Sequence, residues 1–192
     1  PDGIVIVEAS QSNEKSRAIL ADLAERWPGV RVKSVVATSP MWTHIGGARE
    51  YVARGIPFFA TPGVSAGIRE LLASPRRLAP DSLARSPRQL RMTVVDRKRQ
   101  IGTGASRLEL VPALGPHGRS MLLVMIPDAK LLYASDVLVP DAFEPIFKDG
   151  FRVEAIRTVR QLGIEPEQVF ALHIAPMPWA DVVGGSELRP AR

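Results

Sequence analysis

Thr38-Ser39-Pro40-Met41-Trp42-Thr43-His44-Ile45-Gly46-Gly47 joins a stretch of strand character to one of helix character and carries one of the chain's three histidines. Val32 to Thr38 upstream reads as a strand, and Ile45 to Arg54 downstream as a helix ended by Gly55. Toward the N-terminus, Gly3 to Val7 reads as a buried strand, because Ile4, Val5, Ile6 and Val7 are continuous and mostly β-branched. Ser12 and Asn13 can cap a helix whose residues Ile19, Leu20, Leu23 and Trp27 share one face, and Pro28-Gly29 stops it. Toward the C-terminus, Ile56 to Ala60 reads as a third strand and Val64 to Ala73 as a third helix. This β-α-β-α-β-α alternation predicts a parallel sheet layered with helices.

The stretch from Ser74 to Pro87 is rich in proline, serine and arginine and reads as a linker or short lid. Short strands follow, at Leu90 to Val95, Ile101 to Thr103, Leu108 to Val111, Met121 to Ile126 and Leu131 to Tyr133, read as hairpin-connected, with Pro127-Asp128 as a tight turn. A helix over Phe151 to Leu162, a strand at Val169 to Leu172 and a short helix from about Trp179 complete a layered α/β pattern.

The 192 residues suit one domain, with 74–99 as a basic linker or lid within it. At 45% hydrophobic and 23% charged, the chain can bury a core. No apolar run is long enough for a membrane span, the richest being Met121 to Ile126. Cysteine is absent, which excludes disulfides, thiolate ligands and cysteine nucleophiles; a cytoplasmic setting is the default. The chain starts at Pro1 and not at Met, so an upstream segment is expected. Between Arg76 and Arg99, eight basic residues face two acidic ones, a local net charge of +6 that leaves the rest near −1. With no aromatic residue in it for base stacking, the block reads as a solvated basic arm and not as a nucleic-acid surface.

All three histidines sit at strand ends or turns. His44 follows the second strand, His117 lies in Gly115-Pro116-His117-Gly118, and His173 closes the strand Val169 to Leu172. Neutral imidazole suits zinc, and loops at strand ends can converge on one rim. Ser39 and Ser135 have no evident base and orienting partner, so a serine-hydrolase triad is not expected. Trp42 and Trp179 are placed to line a pocket or to fill core.

In order along the chain, these segments resemble the metallo-β-lactamase superfamily. Asp2-Gly3-Ile4-Val5-Ile6-Val7-Glu8 resembles its strand ending in an acidic residue, and Thr38 to Gly47 with Ala48-Arg49-Glu50-Tyr51 its signature loop and helix. Gly115 to Gly118 resembles the turn bearing a first-site histidine, Leu131 to Asp136 the strand ending in the metal-bridging aspartate, and Leu172-His173 the strand ending in the last histidine. The resemblance implies an αββα sandwich, here without the antiparallel strands that usually precede the first segment, and hence a homodimer or a missing segment covering that edge.

The family signature is His-x-His-x-Asp-His; aligned on His44, this chain has Ser39, Met41 and Thr43 in place of the first three ligands. Thioether sulfur is too soft to replace imidazole on zinc. The resemblance then implies at most one divalent metal, zinc first, on His44, Asp136 and His173, with His117 as fourth ligand. Catalysis would fall to His117 as acid–base group and to Asp136. The implied function is a hydrolase of a small ester, lactone, amide or phosphoester, working through metal-activated water. The alternative is a non-catalytic, metal-free binding or scaffold protein retaining the fold.

Overall fold

The computed structural model describes residues 3–140 and 147–184; Pro1 and Asp2, on which the first expected segment and the expected upstream extension touch, lie outside them. The chain divides into two compact units, Pro1–Val94 and Val95–Arg192.

In the first unit, β1 (Ile4–Val7), β2 (Val32–Val36), β3 (Phe58–Ala60) and β4 (Met92–Val94) form a parallel sheet in sequence order. Helices connect the strands, as parallel pairing requires. Helix α1 (Asn13–Arg26) is capped by the Ser12 side chain, which accepts from the Lys15 amide. Helices α2 (Trp42–Ile45) and α3 (Ala48–Ala53) replace the single helix expected over Ile45 to Arg54. Helix α4 (Pro62–Ala73) is capped by Thr61, and the short α5 (Ser82–Arg85) by Asp81. The core gathers Val35, Ala37, Tyr51, Phe58, Val64 and Ile68, with Tyr51 edge-on to Phe58 at 6.3 Å between centroids. Burial raises the Tyr51 phenol above its ordinary pKa of 10.0.

The break between α2 and α3 comes from Gly46-Gly47. A Cβ on Gly46 would lie 2.1 Å from the Gln11 carbonyl oxygen, and one on Gly47 2.1 Å from Ser16 Oγ. The glycines therefore let this segment pack against the β1–α1 loop, where the Gly47 amide donates to the Ala9 carbonyl at 2.8 Å.

The second unit holds a six-stranded sheet of β5 (Arg99–Ile101), β6 (Leu108–Pro112), β7 (Leu122–Ile126), β8 (Leu131–Tyr133), β9 (Gln168–Ala171) and β10 (Ile174–Pro178), in the order β10-β9-β8-β7-β6-β5. All neighbours are antiparallel except β8 and β9. Helix α6 (Asp149–Gln161) crosses between those two, and α7 (Trp179–Gly184) follows β10. Leu123, Leu132, Leu138, Ala155, Val159 and Val169 are central to the core.

One strand pairing is corrected. The segment Leu90 to Val95 does not open the hairpin series; it pairs parallel to β3, Phe58 with Met92 and Ala60 with Val94. Its alternation marks a strand without naming the neighbour. Strand β10, between the expected strand and the expected last helix, adds to the pattern; it carries Pro176 and Pro178 and lies at the sheet edge, where a missing amide proton is tolerated. No helix among the described residues is long and apolar enough to cross a membrane.

Candidate functional site

In the first unit, Glu8 ends β1 with φ 85, a left-handed conformation that non-glycine residues adopt rarely and that recurs at functional sites. That turn accompanies a carboxylate aimed at the β2–α2 loop. Glu8 Oε1 accepts the Thr38 hydroxyl and lies 3.0 Å from His44 Nδ1. His44, Thr38, Ser39 and Glu8 are all buried, His44 completely. Backbone bonds lock the two loops together, Ala9 N–H to the His44 carbonyl at 2.9 Å and Gln11 N–H to the Thr43 carbonyl at 3.0 Å. Beside this knot Met41 and Trp42 are exposed, so the core reading of Trp42 is corrected. A residue in α2's first turn, on a loop flush with the surface, has no interior to fill.

A second cluster in this unit lies outside the expected site. Arg49, buried in α3, donates from Nη2 to Asp81 Oδ1 at 3.0 Å, from Nε to Asp81 Oδ2, and from Nη1 to the Leu72 and Ser74 carbonyls at 3.0 and 3.3 Å. Asp81 also accepts from Asn13 Nδ2 and from the Ala84 amide. Hydrogen bonding to Arg49 outweighs the opposing effect of burial and holds the Asp81 carboxyl far below the usual carboxylate range. The expected linker over Ser74 to Pro87 is therefore pinned to α3 and contains α5. A buried arginine has no sequence signal beyond its position on an otherwise apolar helix face.

In the second unit the turn 115–118 closes on one carboxylate. Glu154, buried on α6, accepts from the His117 amide at 3.0 Å and from the Gly118 amide at 2.6 Å, and meets His117 Nδ1 at 2.7 Å. Gly115 has φ 131, and a Cβ there would sit 2.3 Å from Glu154 Cδ, so this turn needs glycine. Burial pushes the Glu154 pKa up, but the two amides and the imidazole together push harder, and the net shift is downward. The ring of His117 also packs on Phe151 at 5.1 Å between centroids.

Asp136 and His173 are brought together by register. Tyr133 of β8 pairs with Phe170 of β9, and each functional residue lies three positions further along its strand's direction. His173 Nε2 lies 3.7 Å from Asp136 Oδ1, with His173 half-exposed and Asp136 mostly buried. That is an ion-pair distance, longer than a hydrogen bond. Ser135, between β8 and Asp136, is buried with φ 51. Trp179 packs on the edge of this unit's core.

Each of the three histidines thus faces one carboxylate inside its own unit: His44 with Glu8, His117 with Glu154, and His173 with Asp136. The sequence located the histidines; it missed Glu154, which has no motif. Zinc needs three protein ligands or more. Within neither unit, among the described residues, do three His, Asp or Glu side chains group so as to hold a metal ion. With Ser39, Met41 and Thr43 at the signature positions, the donor set does not fit the family's dinuclear centre.

No protein-family model matches the sequence, and no curated protein does. Solved structures do. The chain superposes on a metallo-beta-lactamase from Pontibacter korlensis with a TM-score of 0.67 at 14% identity, covering 95% of this chain and 80% of that one. For DIM-1 metallo-beta-lactamase the TM-score is 0.71 at 14% identity, over 95% and 79%. For FIM-1 from Pseudomonas aeruginosa, in its mono-zinc form, it is 0.67 at 12% identity, over 95% and 76%. Two sheets with their helices, in this strand order and over 95% of the chain, give the chain the metallo-β-lactamase fold.

Proposed function

We propose that this chain is a binding or scaffold protein that retains the metallo-β-lactamase fold without the family's dinuclear metal chemistry. The observation that carries the reading is His44, which is completely buried against Glu8 while Ser39, Met41 and Thr43 occupy the positions of the other signature ligands. An enclosed imidazole beside a carboxylate that also takes a threonine hydroxyl serves to hold two loops together. A cytoplasmic setting belongs to the same reading, as does pairing of two chains through β1, which among the described residues pairs with β2 alone.

A second reading is favoured by one specific observation. His117 directs Nδ1 at Glu154, the arrangement by which a carboxylate orients a metal-ligating histidine through its other nitrogen. In that reading His44, His117, Asp136 and His173 serve at most one divalent ion, zinc first, in a hydrolase acting on a small ester, lactone, amide or phosphoester.

Elemental analysis separates the two. Protein purified without chelator or affinity metal is measured beside His44→Ala and His173→Ala, with light scattering on the same preparation to read chain pairing. The binding reading expects well under one equivalent of zinc, iron or manganese per chain, before and after incubation with each ion. About one equivalent, lost in both variants, would overturn it in favour of the hydrolase.

A further inference from the structure

The first unit contains a cavity of about 500 Å³ between the C-terminal end of α4 and the segment carrying α5, lined in part by Arg76, Arg77 and Arg88. We propose that it binds an organic phosphate monoester, with the dianionic head on the arginines and a compact apolar body against the floor. The proposal is independent of whether the chain holds a metal.

Charge carries the first part of the argument. No acidic side chain lines the cavity, and none of Arg76, Arg77 and Arg88 has an ion pair among the described residues. Arg49 also lines it, but its guanidinium is already spent on Asp81 and the α4 carbonyls. Three uncompensated guanidiniums around one recess repel one another and select an anion, and a dianion matches them better than a carboxylate. Arginine's planar fork suits the bidentate geometry of phosphate oxygens.

The floor argues for a body behind that head. Leu83 of the unit's apolar core and Leu72, packed against that core, line the cavity, and Pro75, Pro80 and Pro87 stiffen its wall. The Arg49–Asp81 pair fixes this wall to α3, so the recess is formed before any ligand arrives. The volume falls in the ordinary range for small-molecule sites, about 300–1,000 Å³. No aromatic residue lines it, which removes the stacking that nucleic acid would use.

Isothermal titration at low salt with 1-naphthyl phosphate as probe tests this, with inorganic phosphate, 1-naphthoate, 1-naphthol and a single-stranded oligothymidine as comparisons. Variants are Arg77→Ala, Arg88→Ala, Arg77→Lys and, as a control of equal net charge outside the cavity, Arg91→Ala, each checked for folding by circular dichroism. The expected result is one saturable site for 1-naphthyl phosphate, bound at least ten-fold more tightly than phosphate, naphthoate or naphthol. Affinity should fall ten-fold or more in both cavity alanine variants, fall in Arg77→Lys as well, and change less than two-fold in Arg91→Ala. Equal binding of naphthol, no binding at millimolar ester, or an equal loss in Arg91→Ala would overturn the proposal. Oligothymidine binding more tightly, with all three alanine variants weakened alike, would replace the site with a diffuse nucleic-acid surface.

Discussion

Replacing Glu154 by glutamine removes one formal charge and changes almost nothing in shape, yet three donors converge on that carboxylate. The amides of His117 and Gly118 donate to opposite oxygens, at 3.0 and 2.6 Å, and the His117 ring shares the first. A glutamine keeps one acceptor oxygen and presents an NH₂ group to whichever amide faced the other. One buried N–H is then left against a donor, costing about 1–3 kcal/mol, and the bonds that survive lose their charge assistance, so the total loss is about 2–4 kcal/mol. That is a large fraction of a typical stability of about 5–15 kcal/mol. The pH dependence has a definite sign. The folded Glu154 pKa lies below its ordinary value of 4.5, so its contribution is fully present above 4.5 and disappears as pH falls through the lowered folded value. Urea unfolding by circular dichroism at pH 7, repeated stepwise toward pH 3, should show a wide gap between wild type and Glu154→Gln that closes in acid. Hydrogen exchange should show the His117 and Gly118 amides opening faster in the variant at pH 7. A loss below about 0.5 kcal/mol, or a gap that widens as pH falls, would refute the clamp.

Gly47→Ala should cost about 1–3 kcal/mol or more by overpacking, since its Cβ meets Ser16 Oγ at 2.1 Å and the Ser12 carbonyl oxygen at 2.6 Å; a thermal melt within a degree of wild type would contradict the close approach. Arg49→Met should cost about 3–5 kcal/mol, because it leaves Asp81 mostly buried without its guanidinium. Asp81→Asn should cost less, and the advantage of wild type over it should be present at neutral pH and lost on acidification, because the Asp81 pKa is lowered on folding. Urea titrations of both variants at pH 7 and stepwise down to about pH 2 read these differences, because the Asp81 contribution is fully present above its ordinary value of 3.8 and lost only below it.

What was legible in the sequence follows from range. The β-α alternation of the first unit is written in local patterns: β-branched runs, the Ser12 cap and the Pro28-Gly29 stop. The partners of strands are not local. Leu90 to Val95 looks like any short strand, and only the crossover through α4 sends it to β3. Strand β5 begins at Arg99, earlier than its apolar residues suggest, because Arg99 to Ile101 pairs with Leu110 to Leu108 through backbone groups that hydrophobicity does not report. At the site, histidine is rare enough for its positions to stand out, whereas Glu154 is one of many acidic residues and acquires meaning only when α6 carries it under the 115–118 turn. Glu8 was legible as a strand-end residue; its contact with His44 was not, being set by a left-handed turn at Glu8 itself.

The buried carboxylates also explain how such loops stay ordered. In a metal centre the ion ties several loops to one point, and its binding energy becomes folding energy. Here acidic side chains do this within each unit. Glu8 holds Thr38 and His44 from the neighbouring loop, Glu154 holds the 115–118 turn, and the Asp81–Arg49 pair holds the basic segment against α3 and α4. Each accepts from several donors at once, so its desolvation is offset and its removal would strand more than one partner. Local ties of this kind order every loop that carries a histidine or an arginine of interest except that of His173. There the only tie described is a 3.7 Å approach to Asp136, with the imidazole half-exposed. Of the three histidines, His173 is therefore the one least held by its own unit, and the one whose substitution should disturb folding least.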